Sequence, residues 1–325
     1  MVAKNCSKTG ARRIFSNHWV LGSAAVLAAT LATPVRAAPL VVCMAEDNPP
    51  LSYQVKGQPR GLEVRLASAA AQALGRELVV LPFETGYEKE SSLTHEVNAL
   101  LSSGLCEAVS GFPLLASDLG PATRATSRTP DTPGAKRKRE RPFIPLGTLV
   151  ASRAYLSAAL GVVQRSGAAP LDRLGDLGER RLGVVSGTLA GSVAMTWRNG
   201  QLRPGLVSLT QREDGLAELA QAAPASGNRR FDALFVPLAL FDGWQLQHPG
   251  SPLVAANFRR NLGINLGFVT LEAAAVVRSA LDRSIQQALA DGSLARWAAE
   301  EGVSWTAPVA PEVSRGISMA DLAAD

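Results

Sequence analysis

The chain predicts an α/β protein, a mostly parallel sheet with helices on its faces. Three observations carry that expectation. Residues 40–112 read strand, helix, strand, helix, strand, the pattern of parallel strands joined by crossover helices. A second α/β block follows a break at 113–142. The composition, 46% hydrophobic and 19% charged over 325 residues, is that of a globular chain of one or two domains.

The first strand, 40–45, runs into "MAEDNPPLSY", where acidic, amide and paired proline residues halt the apolar run. Helix 61–74 follows, with Leu62, Leu66, Ala69, Ala70 and Ala73 at helical spacing. Gly75 ends it, as a residue that tolerates positive φ does. Strand 78–83, helix 93–103 and strand 107–112 complete the first block. Residues 113–142 have no periodicity, are rich in Pro, Thr, Ser and Gly, and carry Lys136, Arg137, Lys138, Arg139 and Arg141. Such a run reads as a solvated loop. The second block has strand 147–152, strand 181–186, helix 189–197, strand 206–209, helix 213–222 and strand 231–236. Strand 263–270 and helices 272–290 and 293–300 close the fold, and the tail after Trp305 reads as a loose surface strap.

Residues 1–37 differ in character from the rest. Lys4, Lys8, Arg12, Arg13 and Arg36 flank an apolar run from Trp19 to Leu31, and Val35-Arg36-Ala37 precedes Ala38. That order is a secretory signal cleaved after Ala37; the alternative, a single membrane anchor, asks for a longer and less diluted apolar run. Arg12-Arg13-Ile14-Phe15 partly matches a twin-arginine export signal. Removing five leader cations from 33 leaves 28 Lys+Arg against 28 Asp+Glu, so the basic pI belongs mostly to the leader. Attraction to nucleic acid or to acidic membranes loses its support. Cys43 and Cys106 remain, an even count that permits one disulfide in an oxidising compartment or leaves two buried thiols. Neither has a metal-ligand neighbour at useful spacing. No phosphate loop, H-E-x-x-H pair or dinucleotide fingerprint is present, and His95 and His248 have no paired ligand or nucleophile. No catalytic residue, cofactor or metal is expected. Glu63 and Asp47 make a carboxylate pair near the cleft, and an acidic residue at the position of Glu63 more often caps the dipole of the first helix.

Four stretches resemble the type 2 periplasmic solute-binding proteins, the amino-acid-binding branch (bacterial family 3) especially: "NPPLSYQVKGQPRGLEVRLASAAAQALG", "ALLSSGLCEAVSGF", "LGDLGERRLGVVSGTLAG" and "INLGFVTLEAAAVVRSALDRSIQQALADGSLARWAAEEG". The resemblance implies two Rossmann-like lobes joined by a two-strand hinge and closing on a small-molecule ligand. The first lobe would hold 38–148 and 265–305, the second 149–264, with 306–325 as a tail. It also implies the periplasm, an ABC permease as partner, and contact with the membrane only through that partner. "LVVCMAEDNPP", "SSGLCEAVSGFP", "RPFIPLGTLVASR" and "FDALFVPLALF" are similar to a narrower subgroup, the J-type proteins associated with quinoprotein methanol dehydrogenases. That subgroup implies a dehydrogenase accessory role with a quinoprotein as partner, through apolar residues such as Phe112, Phe143, Phe241 or Trp244. In the doubly wound order the first and third strands are neighbours, so Cys43 and Cys106 could meet across them.

Open α/β sheets bind ligands beyond the carboxyl ends of their strands, which places Asp47 and Asn48 at the ligand space and Leu51 and Tyr53 on its wall. Phe112 ends the third strand. Ser186-Gly187-Thr188 lies between a strand and a helix and either converges on a ligand carboxylate or forms a hydroxyl-capped turn. Arg137 lies six residues before Phe143, where the amino-acid binders carry a carboxylate-binding arginine. Pro237 stands where their second-lobe aspartate pairs with the ligand ammonium, so an ordinary α-amino acid is not expected. An enzyme built on the same lobes, such as a dehydratase of cyclic acids, would depend on Glu63 or Ser186.

Overall fold

The computed structural model describes residues 37–84, 92–130, 141–222 and 227–318. The leader and Arg137 lie outside the described residues. Strand β1 (Leu40–Ala45) leads into a small sheet of β2 (Asp47–Asn48), β3 (Ser52–Val55) and β4 (Gln58–Arg60), then α1 (Leu62–Ala73), β5 (Leu78–Phe83), α2 (Leu93–Ser102) and β6 (Ala108–Pro113). A ribbon of β7 (Thr126–Ser127) and β8 (Ile144–Pro145) precedes the long strand β9 (Leu149–Arg165). Next come β10 (Leu182–Val185), α3 (Leu189–Thr196), β11 (Leu206–Leu209), α4 (Gly215–Ala220), β12 (Ala233–Pro237) and α5 (Leu238–Gln247). The second long strand β13 (Leu253–Leu271) returns to α6 (Ala275–Ala290) and α7 (Ser293–Glu301).

Eight strands form one mixed sheet in the order β11-β10-β12-β9-β13-β6-β1-β5. β1 is parallel to β5 and β6, and β10 is parallel to β11 and β12. The long strands pair antiparallel with each other and with their outer neighbours. The result is two parallel triplets joined by one crossing pair, the two-lobe architecture of type 2 periplasmic binding domains. Four of the six residues of β1 are buried, as expected where helices cover both faces of a parallel strand. Leu40, Leu62, Leu66, Phe268 and Leu281 pack together in the first half, and Val162, Leu182, Val193 and Phe235 in the second.

The sequence expectations for 147–152 and 263–270 were too short: β9 has 17 residues and β13 has 19. Both continue as crossing strands into the other half, and "NFRRNLGIN" hides this because its polar residues and glycine break period-two alternation. Helix α5 had no expected counterpart. It begins directly on Pro237 without a side-chain cap and gives little apolar periodicity to read.

The disulfide between Cys43 and Cys106 is formed, with Cα atoms 5.7 Å apart, and both cysteines are buried. The tail corrects the expectation of a loose strap. Asn265, fully buried, donates its amide to the carbonyls of Val309 at 2.8 Å and Glu312 at 2.9 Å and accepts from Val309 N–H at 3.0 Å. The Glu312 carboxylate accepts from Ala154 N–H at 2.9 Å and from Arg153 at 3.0 Å. Ser157 N–H donates to the Thr306 carbonyl at 2.9 Å, and Ser314 pairs with Leu114 and Ala116. Ile317 packs against the core of the second half. The strap is held because it satisfies backbone groups that the sheet leaves open.

Replacing both Cys43 and Cys106 by Ala is expected to lower unfolding free energy by about 4 kcal/mol, from the loop-closure entropy of a 63-residue separation. Asn265→Ala should cost about 3 kcal/mol by stranding buried polar groups. Urea titrations monitored by circular dichroism check both values.

Candidate functional site

The carboxyl end of β1 opens onto two adjoining cavities. The larger, about 780 Å³, is lined by Asp47, Pro49, Tyr53 and Phe83 from the first half and by Leu246 and Gln247 of α5 from the second. The smaller, about 230 Å³, is lined by Asp47, Asn48, Glu63, Phe83, Ser110 and Phe112. Ala45, Asp47 and Phe83 belong to both, so the two form one cleft with a side chamber.

Glu63 stands at the floor of the chamber. It is 1% exposed, which corrects its reading as a dipole cap: the side chain turns inward rather than onto the end of α1. Tyr155 Oη donates to Glu63 Oε1 at 2.5 Å, and Ser110 Oγ lies 2.5 Å from Oε2. Burial pushes the Glu63 carboxyl above its ordinary range, outweighing the hydrogen bonds from Ser110, Tyr155 and Ser52 that favour the ionised form. Burial, reinforced by Glu63, holds the Tyr155 phenol well above its usual value, so it stays protonated. Gly111 makes room for this cluster. At φ +68° it occupies the left-handed region, and a Cβ there would lie 3.1 Å from Glu63 Oε1. Its N–H donates to Tyr155 Oη at 3.1 Å.

The cleft mouth is fixed from the second half by α5. A Cβ on Gly243 would lie 2.7 Å from the Pro49 carbonyl, so only glycine permits this approach. The buried Asp242 carboxylate accepts from Ser304 N–H and Ser304 Oγ, each at 2.6 Å. Burial raises its carboxyl above the usual range, against the pull of the Ser304 bonds.

The structure brings some of the expected site residues together and separates others. Asp47, Asn48, Tyr53 and Phe112 line the cleft or its chamber. Leu51 is buried in the first-half core and lines neither cavity. Pro237 is exposed at the end of β12, and it too lines neither. Ser186 and Gly187 are exposed, with Ser186 hydrogen-bonded to Ser208. Thr188 accepts from Gly191 N–H at 3.1 Å and caps α3, the hydroxyl-capped turn that its position allowed. Phe112 and Phe241 are buried, whereas Phe143 is 62% exposed, with the Arg128 guanidinium 4.5 Å from its ring centroid. His95 bridges Ser92 Oγ at 2.8 Å and Thr123 Oγ1 at 3.0 Å, a structural tie. Sequence reasoning missed Ser110, Tyr155, Phe83 and the α5 residues. "VSGF" carried a signal, since a serine and glycine inside a buried strand mark a close approach.

No protein-family model and no curated protein matches the chain by sequence. Solved structures match its fold. The second substrate-binding domain assigned to an amino acid ABC transporter of Streptococcus pneumoniae is 13% identical, covering 82% of this chain and 100% of that one, with a TM-score of 0.56. The open conformation of substrate-binding domain 2 of Lactococcus lactis GlnP is 14% identical, covering 85% and 99%, with a TM-score of 0.55. An ancestral cyclohexadienyl dehydratase is 15% identical, covering 81% and 92%, with a TM-score of 0.53. At these identities the likeness establishes the fold.

Because folded Glu63 keeps its proton to higher pH than the ordinary 4.5, its contribution to stability is fullest below that value. It declines as pH rises through the folded titration. Glu63→Gln should therefore flatten the fall in stability on the alkaline side of 4.5, measured by urea unfolding at a series of pH values.

Proposed function

We propose that the chain is an extracytoplasmic binding protein that takes a small solute into the cleft beside Asp47. The observation that carries this reading is a cleft lined from both halves, at the carboxyl end of β1, where open α/β sheets bind ligands. The leader supports export to the periplasm, and an ABC permease is the partner that a transport role requires. Among the described residues no helix is long and apolar enough to cross a membrane. In this reading the solute is not an ordinary α-amino acid, because Pro237 stands where the amino-acid binders that the sequence resembles carry the aspartate that holds the ligand ammonium. Asp47, Asn48, Tyr53 and Phe112 are the ligand contacts in this reading. Arg137 and Ser186-Gly187-Thr188 are secondary candidates.

A second reading, an accessory of a periplasmic quinoprotein dehydrogenase of the methanol type, is favoured by exposed Phe143, Leu240 and Leu246 and by the contacts that brace α5 against Pro49 and Ser304. A dehydratase-like activity has a chamber and a buried acid in its favour, but no group beside them marks a reacting bond.

Thermal-shift screening of the exported chain against neutral and charged solutes should find a stabilising compound. Saturation at 100 times Kd adds about 2.7 kcal/mol, and Asp47→Ala should remove the shift. No shift with any solute, together with recovery of a quinoprotein dehydrogenase on tagged chain from periplasmic extract, replaces the first reading with the second.

A further inference from the structure

We infer that Ser110, backed by Glu63, reads the hydrogen-bonding polarity of the solute: its hydroxyl donates into the side chamber to an acceptor oxygen of a small uncharged molecule. The inference rests on the cleft being the solute site and names the chemistry that the site accepts.

Gly111 N–H occupies a lone pair of Tyr155 Oη, and the phenol proton goes to Glu63 Oε1. Oε2 and Ser110 Oγ, 2.5 Å apart, share one proton between them. An ionised carboxylate would take the hydroxyl proton of Ser110, leaving only lone pairs to face the chamber. A protonated carboxyl donates to Ser110 Oγ instead, and the hydroxyl proton turns to the chamber that Ser110 lines.

The surroundings of Glu63 select the second arrangement. Among the described residues no cation pairs with it, and Glu63 is 1% exposed, so an ionised form would be a buried charge without a partner. The groups that face it are Tyr155 from β9, Ser110 from β6 and Ser52 from β3, none of them positive. Burial raising its carboxyl agrees with this geometry. Asp47 lines the same chamber and offers a carboxylate to hydroxyl donors on the solute. Phe83 and Phe112 supply apolar walls. The class that fits is a small neutral oxygenated molecule with a carbonyl or ether oxygen toward Ser110 and a hydroxyl toward Asp47.

Two uncharged probes of the same shape, cyclohexanone as acceptor and methylenecyclohexane, which lacks the acceptor oxygen, test this on the full exported chain by saturation-transfer NMR from about pH 5 to about pH 9. Infrared difference spectra of wild type against Glu63→Gln report the carboxyl in parallel. The expected results are a protonated carboxyl at neutral pH and cyclohexanone favoured about tenfold, with the preference falling as the carboxyl ionises. Ser110→Ala should level the two probes. Glu63→Gln, whose amide still donates to Ser110, should keep the preference and lose its pH dependence. An ionised carboxyl at neutral pH overturns the inference, as does a preference that survives Ser110→Ala or a pH dependence that survives Glu63→Gln. Binding of both probes without preference overturns this inference alone; binding of neither overturns the solute-site reading with it.

Discussion

The crossing pair β9 and β13 must stretch unequal lengths of chain over the same distance. Ala255 pairs with Val163 and Arg259 with Gly161; Asn261 pairs with Ala159 and Asn265 with Ser157. At each place β13 uses twice as many steps as β9, and the extra residues bulge out of the ladder. A bulge bends the strand and frees backbone groups, which need new partners wherever water is excluded. Asn261 Oδ1 takes Ser157 Oγ at 3.0 Å and Gly263 N–H at 2.7 Å. Asn265 takes the strap. The tail is thus ordered by a demand created in the hinge, and its path from the first half toward the second follows from where the bulges lie.

The same hinge reaches the cleft through one residue. Tyr155 is fully buried, stacks at a tilt on Phe268 with centroids 5.6 Å apart, and gives its carbonyl to Trp305 Nε1 at 2.9 Å. Its hydroxyl is the donor that orients Glu63. A buried phenol needs a polar partner, and here that need is met by the acid at the chamber floor. Packing in the hinge, the end of α7 and the polarity of the chamber therefore share a side chain. Any shift of β9 along β13 would move the hydroxyl away from Oε1 and leave the carboxyl with Ser110 and Ser52 as its hydrogen-bonding neighbours.

What the sequence made legible were the elements whose neighbours are local. Helix 61–74 and strand 78–83 announce themselves through spacing and Gly75, and the pairing of Cys43 with Cys106 follows once β1 and β6 are adjacent. The hinge strands were foreshortened because their polar stretches face bulges and the strap, partners far away in the chain. Leu51 was misread because the turn after Pro50 sends it into the core beside α1, a consequence of tertiary packing. Glu63 illustrates the hardest case: an acidic residue in a first helical turn ordinarily faces water and the helix dipole. Only the approach of β6 and β9 buries it, and those strands lie 47 and 92 residues away.

A buried acid is an expensive choice for a chamber floor, since a leucine of similar size would bury without penalty. Its hydrogen bonds offset part of that cost, and holding its proton offsets more. What the carboxyl adds over an apolar residue is direction: it fixes the rotor of Ser110, a hydroxyl that would otherwise turn freely between donor and acceptor. In the proposed reading, a chamber built this way distinguishes solutes by where their oxygens sit, with Asp47 as the carboxylate that takes their donors. Across the cleft, α5 contributes the opposite wall through Leu246 and Gln247.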